Sequence, residues 1–179
     1  MSKFPQHTLE TAPEASKPLL ENSIKGFGMI PSLHSIMAES PQALEAYQLL
    51  HKLFQDTSFN KEELTVVWQS INVEHACHYC VPAHALIADM MKVDPEITRA
   101  LREKTPLADA KLEVLRNTTL TLVRERGVIS EEQLQEFYAA GYSQKNVLEI
   151  ILGIAQKVMS NYTNHVADTP LDDRFKAYL

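Results

Sequence analysis

Apolar side chains recur at helical spacing along almost the whole chain, and this periodicity limits the fold more than any other feature. Leu64, Val67 and Ile71 are one example, separated by three and then four positions. Such spacing puts side chains on one face of an α-helix, whereas a half-buried strand alternates every second residue. No segment shows that alternation over a sustained length. The chain also contains only 5 glycines in 179 residues, which disfavours the tight turns of sandwiches and barrels.

Helix start signals divide this periodic sequence into segments. Ser40-Pro41 and Asn60 are typical starts, because a short polar side chain accepts a hydrogen bond from an exposed amide and proline suits the first turn. Ser130 with Gln133 three positions later forms a capping-box pattern. The signals and the periodicity together predict an all-α protein of roughly eight helices.

The chain is long enough for one well-packed domain and short for two. Its beginning is polar and contains proline, without helical periodicity. We therefore predict a flexible arm over residues 1–14 and a single all-α domain over residues 15–179.

Charge and hydropathy exclude several classes of function. The net charge is −6, from 23 acidic and 17 basic residues, and nucleic-acid binding requires a surplus of lysine and arginine. No run of about 18 apolar residues is present, as a membrane-spanning helix would need. The N-terminus lacks the apolar segment of a secretory signal. We therefore expect a cytoplasmic protein without a nucleic-acid or membrane partner.

The chain has only two cysteines, Cys77 and Cys80, separated by two residues. In a reducing compartment such a pair indicates redox chemistry or metal binding rather than a structural disulfide. Pro82 is tolerated only in the first turn of a helix, so the helix is predicted to begin between His78 and Cys80. This position puts the pair at the positive end of the helix dipole, which lowers the pKa of a thiol.

A histidine follows one turn after the second cysteine. Cys80 and His84 are four positions apart, so they share a helix face within about 40°. Cys77 lies within about 60° of Cys80 if it follows the same helical path. One turn of separation also allows a disulfide, whose Cα atoms lie about 4.4–6.8 Å apart. The pattern predicts a site of two thiols and one imidazole.

Other interpretations of this segment remain open. The pair is a zinc site if His75 and His84 join the two cysteines, although structural zinc sites usually bring together two ligand pairs across a loop. It is a regulatory pair if its disulfide forms without catalytic turnover. The pair has only a structural role if the thiols simply pack in the hydrophobic core, as free cysteines often do. We expect His75 and His78 to be solvated or to support the site rather than to act in it.

The stretch from Glu74 to His84, with its two cysteines and its histidine, resembles the alkylhydroperoxidase D-like branch of the carboxymuconolactone decarboxylase family. A softer similarity covers Pro31–Tyr47 and Gly141–Asp172, so that the resemblance extends over most of the chain from about residue 30 to residue 172. Within the second of these stretches it includes Asn161-Tyr162-Thr163-Asn164-His165.

The resemblance implies an all-α fold that assembles into trimers or hexamers and reduces hydroperoxides in an antioxidant role. In that family, Cys80 would attack the peroxide and pass through a sulfenic acid, Cys77 would resolve it as a disulfide, and His84 would relay protons. An external dithiol or reductase would then restore the thiols. No metal or organic cofactor is expected.

One position departs from the family pattern. Family members usually carry a glutamate twelve positions before the first cysteine, and this chain has Thr65 there. Glu74 is the nearest substitute for that acid in the proton relay, and a solvated acid at a helix end is an equal alternative. This departure puts the relay and the rate of peroxide reduction in question.

Three polar residues near the end of the last long helix share one face, since they are spaced by three and four positions: Asn161, Asn164 and His165. They line a pocket or an interface, or else form a polar stripe with local hydrogen bonds.

Overall fold

A computed structural model describes residues 2–179, and regular secondary structure within that range is wholly helical. The nine α-helices are α1 (Lys17–Phe27), α2 (Ser32–Met37), α3 (Pro41–Gln55), α4 (Lys61–Glu74), α5 (Cys80–Met90), α6 (Pro95–Glu103), α7 (Ala110–Arg124), α8 (Glu131–Ala139) and α9 (Gln144–Ala167). Two 3-10 helices span Glu14–Ser16 and Asp173–Tyr178. The predicted all-α class is confirmed. None of the helices described is long and apolar enough to cross a membrane.

The predicted capping signals begin helices as expected. Asn60 accepts a hydrogen bond from the backbone N–H of Glu63, and the Glu63 carboxylate accepts one from the Asn60 amide. Ser130 and Gln133 form the same reciprocal pair at the start of α8. Each pair satisfies amides that have no partner within the helix.

Helix α4 forms the centre of the molecule. Every residue from Glu63 to Asn72 is buried, because α4 packs against α5, α6, α7 and α9. Trp68 is 1% exposed and belongs to the core, as its apolar surroundings in the sequence indicate. The 24-residue α9 crosses both α3 and α4. Helix α5, which begins at Cys80, packs against α4, α6 and the C-terminal 3-10 helix.

The segment ahead of the first helix lies against the domain. Lys3 donates its backbone N–H to Ala167 O at 2.7 Å, and His7 donates to Ser35 O at 3.1 Å. Ala12 is buried. Met1, the first residue of the predicted arm, lies outside the described residues, and the flexibility of the arm stays a prediction.

Candidate functional site

The two cysteines lie on a turn and on the helix that follows it. Helix α5 begins at Cys80, with Pro82 in its first turn as predicted. Ala76 adopts a φ of 50°, which turns the chain after α4. Cys77 then donates its backbone N–H to Asn72 O at 3.0 Å. Cys77 therefore precedes the helix, in agreement with the predicted start between His78 and Cys80, and the angle of about 60° that held only for a shared helical path does not apply.

The turn nevertheless brings the two sulfur atoms into one environment. The backbone N–H of Cys80 donates to Cys77 Sγ at 3.3 Å. Asn164 on α9 donates its Nδ2 to Cys80 Sγ at 3.2 Å, and the same nitrogen lies 3.8 Å from Cys77 Sγ. Both side chains are buried free thiols. One amide thus contacts both sulfurs, which places Asn164 beside the thiols.

Lys157 on α9 is a site residue that the sequence analysis missed. Its side chain is 0% exposed, and its Nζ donates to His84 Nε2 at 2.9 Å. Within residues 2–179, no carboxylate lies at ion-pair distance from it. The available signal was its register, since it lies seven positions after the buried Ile150 and seven before Asn164. Residues seven apart share a helix face.

The surroundings favour a thiolate at Cys80 and a thiol at Cys77. Burial raises the pKa of Cys80, but the hydrogen bond from Cys77 and the positive charge of Lys157 outweigh burial and lower that pKa well below its ordinary value. The hydrogen bond to Cys80 and burial raise the pKa of Cys77. Cys80 is also the first residue of α5, where the helix dipole stabilises negative charge. The ionised, nucleophilic sulfur is therefore that of Cys80.

His84 is a neutral imidazole with one nitrogen unpaired. Burial, then the charge of Lys157 and then His51, lower the pKa of His84 well below its ordinary value. Because Nε2 accepts from Lys157, the proton of the neutral ring lies on Nδ1. That Nδ1 has no hydrogen-bond partner in the described part of the chain. Its N–H is a buried donor on a residue that lines the same cavity as Cys80.

The structure brings Cys77, Cys80 and His84 together but not Glu74. The Glu74 carboxylate accepts two hydrogen bonds from Arg124, at 2.8 Å and 2.7 Å. This contact lowers the pKa of Glu74 and holds the acid at α7. Thr65, where the family carries its relay acid, donates its hydroxyl to a backbone carbonyl within α4. Lys157 is accordingly the charged side chain in contact with the site histidine.

The remaining polar candidates support the surrounding backbone and side chains. Asn161 Oδ1 lies 2.9 Å from His75 Nδ1, and His78 Nε2 lies 2.8 Å from Thr169 O. His165 is exposed. Across residues 2–179, no group of three or more histidine, cysteine or acidic side chains is arranged to hold a metal ion. The four ligands of the zinc interpretation are thus not assembled.

A cavity of about 730 Å³ reaches Cys80 and His84. Aromatic and imidazole rings line one wall, where His34 and Tyr47 have centroids 5.5 Å apart and Tyr47 and His51 have centroids 6.4 Å apart. Burial and His51 lower the pKa of His34 to about 3, and burial and Lys157 lower the pKa of His51 to about 4. These rings are therefore uncharged near neutral pH.

Solved structures share this arrangement of helices. A peroxidase-related protein with an alkylhydroperoxidase AhpD core from Ralstonia eutropha JMP134 superposes with a TM-score of 0.86, over 97% of this chain and 94% of that one, at 17% identity. The chain has the alkylhydroperoxidase D-like fold. An uncharacterised peroxidase-related protein from Silicibacter sp. TM1040 has a TM-score of 0.81 and 17% identity, over 97% of this chain and 92% of that one. No protein-family model and no curated protein matches the sequence.

The alkylhydroperoxidase D-like fold also includes a debrominase. The debrominase Bmp8, in a cysteine-to-alanine variant bound to 2,3,4-tribromopyrrole, superposes with a TM-score of 0.77 and 18% identity, over 99% of this chain and 96% of that one. The fold therefore hosts more than one chemistry, and the function of this chain must be argued from its own site.

Proposed function

We propose that the protein is a thiol-dependent peroxidase that reduces hydroperoxides through a dithiol–disulfide cycle at Cys77 and Cys80. The observation that carries the proposal is the buried Cys80 sulfur, which is stabilised as a thiolate beside a second thiol and the charge of Lys157. A thiolate is the attacking species in peroxide reduction, and a neighbouring thiol converts the resulting sulfenic acid into a disulfide. The fold shared with peroxidase-related proteins supports this assignment.

The proposed cycle converts one hydroperoxide and two thiols into an alcohol, water and a disulfide. The Cys80 thiolate attacks the O–O bond, forms a sulfenic acid and releases the departing oxygen as an alkoxide, which takes up a proton to become the alcohol. The Cys77 sulfur then displaces hydroxide from the sulfenic acid, closing the disulfide, and the hydroxide leaves as water. An external dithiol, of the kind maintained in a reducing cytoplasm, returns both cysteines to thiols.

Protons for the departing oxygens come from the lysine–histidine pair in this proposal. The Nδ1–H of His84 faces no protein acceptor within residues 2–179, and it donates its proton to the departing oxygen. Lys157 simultaneously supplies a proton to Nε2, with which it already forms a hydrogen bond. Lys157 and His84 together thus act as the proton relay. In the family pattern this relay includes an acid at the position of Thr65.

Turnover with excess dithiol tests the proposal. We expect the wild-type protein to consume many equivalents of hydroperoxide, and Cys80→Ser to consume none because the nucleophile is absent. Cys77→Ser should form one sulfenic acid per chain, detectable by a sulfenic-acid-specific reagent, while losing most of the turnover. Undiminished peroxide consumption by Cys80→Ser would overturn the assignment. A wild-type protein that forms one disulfide and then stops would instead support the regulatory interpretation.

Reductive debromination is a second candidate, favoured by the neutral aromatic wall beside Cys80 and by the fold shared with Bmp8. The same two thiols would supply two electrons, so that an aryl bromide and two thiols give the arene, bromide, a proton and a disulfide. Bromide release from a brominated pyrrole, measured alongside peroxide consumption, separates the two. Bromide release without peroxide turnover would replace the peroxidase proposal.

A further inference from the structure

The cavity that reaches Cys80 has an unusual charge for this chain. Of its lining residues within the described chain, Lys52 and Arg174 are the two cations, the Cys80 thiolate at the reactive site is an anion, and no carboxylate lines it. The chain as a whole carries 23 acidic and 17 basic residues. The cavity therefore has two cationic and no carboxylate side chains, whereas the molecule as a whole is negatively charged. Such a cavity attracts anions.

Both cations lie on the solvent side of the cavity. Lys52 is exposed on α3. Arg174 is exposed and donates Nη1 to Phe27 O at 2.6 Å, which holds the guanidinium at the wall of the cavity. Its neighbour Phe175 packs edge-on against Tyr79, with ring centroids 5.4 Å apart, and Tyr79 directly precedes Cys80. Arg174 and the reactive Cys80 are thus connected along one wall of the cavity, through Phe175 and Tyr79.

Apolar side chains also line the cavity. They are Met29, Leu33, Leu86, Ile87, Met90 and Met91. The cavity volume of about 730 Å³ is far larger than hydrogen peroxide needs, since a water molecule occupies about 30 Å³. The cavity therefore combines two exposed cations, an apolar lining, and the buried Cys80 and His84.

We propose that this cavity binds hydroperoxides of long-chain carboxylic acids, with the carboxylate at Lys52 and Arg174 and the hydroperoxide group at Cys80 and His84. The inference rests on the proposed peroxidase function for its reaction, in which the hydroperoxide becomes the corresponding hydroxy acid. A guanidinium pairs well with a carboxylate, and the apolar lining covers the hydrocarbon chain. Because His34 and His51 are neutral, they add no positive charge that would compete with Lys52 and Arg174 for the carboxylate.

The test compares a long-chain carboxylic-acid hydroperoxide, its methyl ester and hydrogen peroxide as substrates. We expect the acid to have the highest kcat/KM of the three. The double variant Lys52→Gln/Arg174→Gln should lose roughly tenfold in kcat/KM for the acid, as expected for two exposed ion contacts, and change little for the ester. Lys145→Gln, an exposed lysine on α9 outside the cavity, is the matched control. Equal kcat/KM for acid and ester, or equal losses for both in the double variant, would overturn the proposal.

Equilibrium binding separates this inference from the peroxidase proposal. The hydroxy acid product is titrated into Cys80→Ser protein, which has no turnover. Binding that weakens in the background of the double variant supports the carboxylate site even if the wild-type protein consumes no hydroperoxide. Absence of binding overturns the site even if hydrogen peroxide is consumed.

Discussion

At the scale of single residues, Lys157 changes what the cysteine pair can do. A lysine buried without a carboxylate is costly, because an unpaired charge is poorly solvated inside a protein. The Cys80 thiolate offers that lysine an anionic partner, and the lysine lowers the pKa of Cys80 in return. A buried cation, Lys157, therefore stabilises the reactive sulfur of Cys80. The family pattern instead has an acid near the site, at the position of Thr65.

Replacing this lysine should move the ionisation of Cys80 to higher pH. Lys157 lowers the pKa of Cys80, so Lys157→Met removes a stabilising charge and raises that pKa by about 1 unit or more. Alkylation of Cys80, followed across pH by mass spectrometry, reports the midpoint directly. Lys145→Met, on the exposed side of the same helix, should leave the midpoint unchanged. A wild-type profile in Lys157→Met, with helical circular dichroism retained, would contradict the charge pairing.

The sequence predicted those site residues that are close along the chain. Cys77, Cys80 and His84 fall within eight positions, so helical geometry and Pro82 suffice to group them. Lys157 is separated from His84 by 73 positions, and no local pattern reveals a contact over that distance. Glu74 shows the converse, because it is near Cys77 in sequence while its carboxylate is bound to Arg124 on another helix.

At the scale of helices, starts were predictable and several ends were not. Starts carry side-chain signals such as Asn60 and Ser130, which act locally. Helix α5 ends at Met90, where neither glycine nor proline follows directly in the sequence. Lys92 takes a φ of 57° there, and Val93 donates back to Ala88 O at 3.0 Å. A left-handed residue that is not glycine gives no recognisable stop signal.

The crossing of α3 and α9 depends on the absence of a side chain at Gly153. A Cβ at this position would lie 2.7 Å from Phe54 Cε2 and 3.1 Å from Val67 Cγ1, and Phe54 is fully buried. We expect Gly153→Ala to lower the free energy of unfolding by about 1–2 kcal/mol, since overpacking outweighs the gain in helix propensity. Urea unfolding measures the change.

Gly26→Ala is the matched control for this crossing. Gly26 also lies in a helix, and a Cβ there would meet nothing within 4 Å. It should therefore raise stability by up to about 1 kcal/mol, because alanine is the better helix former. Equal effects of the two substitutions would show that packing against Phe54 does not limit position 153.

At the scale of the whole molecule, the site is assembled from separate parts of one helical domain. The thiols come from the turn after α4 and the start of α5, the lysine and the amide from α9, and the cavity wall from α1, α3 and the C-terminal 3-10 helix. The all-α class followed from periodicity alone. The arrangement of these helices did not, since it depends on long-range packing that a single sequence does not display.

The outer face of α9 carries a continuous apolar stripe. The exposed members of this stripe are Leu148, Ile151, Ala155, Tyr162 and Val166. Val158, which is partly exposed, lies between Ala155 and Tyr162 at the same spacing. The stripe repeats at three and four positions along 19 residues of the helix, the spacing with which helices pack against one another. Exposed apolar patches of this kind mark interaction sites on soluble proteins. A second copy of the same helix offers a matching stripe, because a two-fold contact pairs identical surfaces.

We therefore expect the protein to self-associate through α9, in line with the oligomers that the family resemblance implies. Light scattering coupled to size exclusion should give a molar mass that is a multiple of the 20.2 kDa of one chain. Leu148→Glu/Ile151→Glu should reduce that multiple, since burying two carboxylates in an apolar contact is strongly unfavourable. Val128→Glu changes an apolar residue that is 72% exposed in the loop before α8, and it should leave the mass unchanged. A monomeric wild-type protein, or a double variant with the wild-type mass, would show that the stripe does not join copies of this chain.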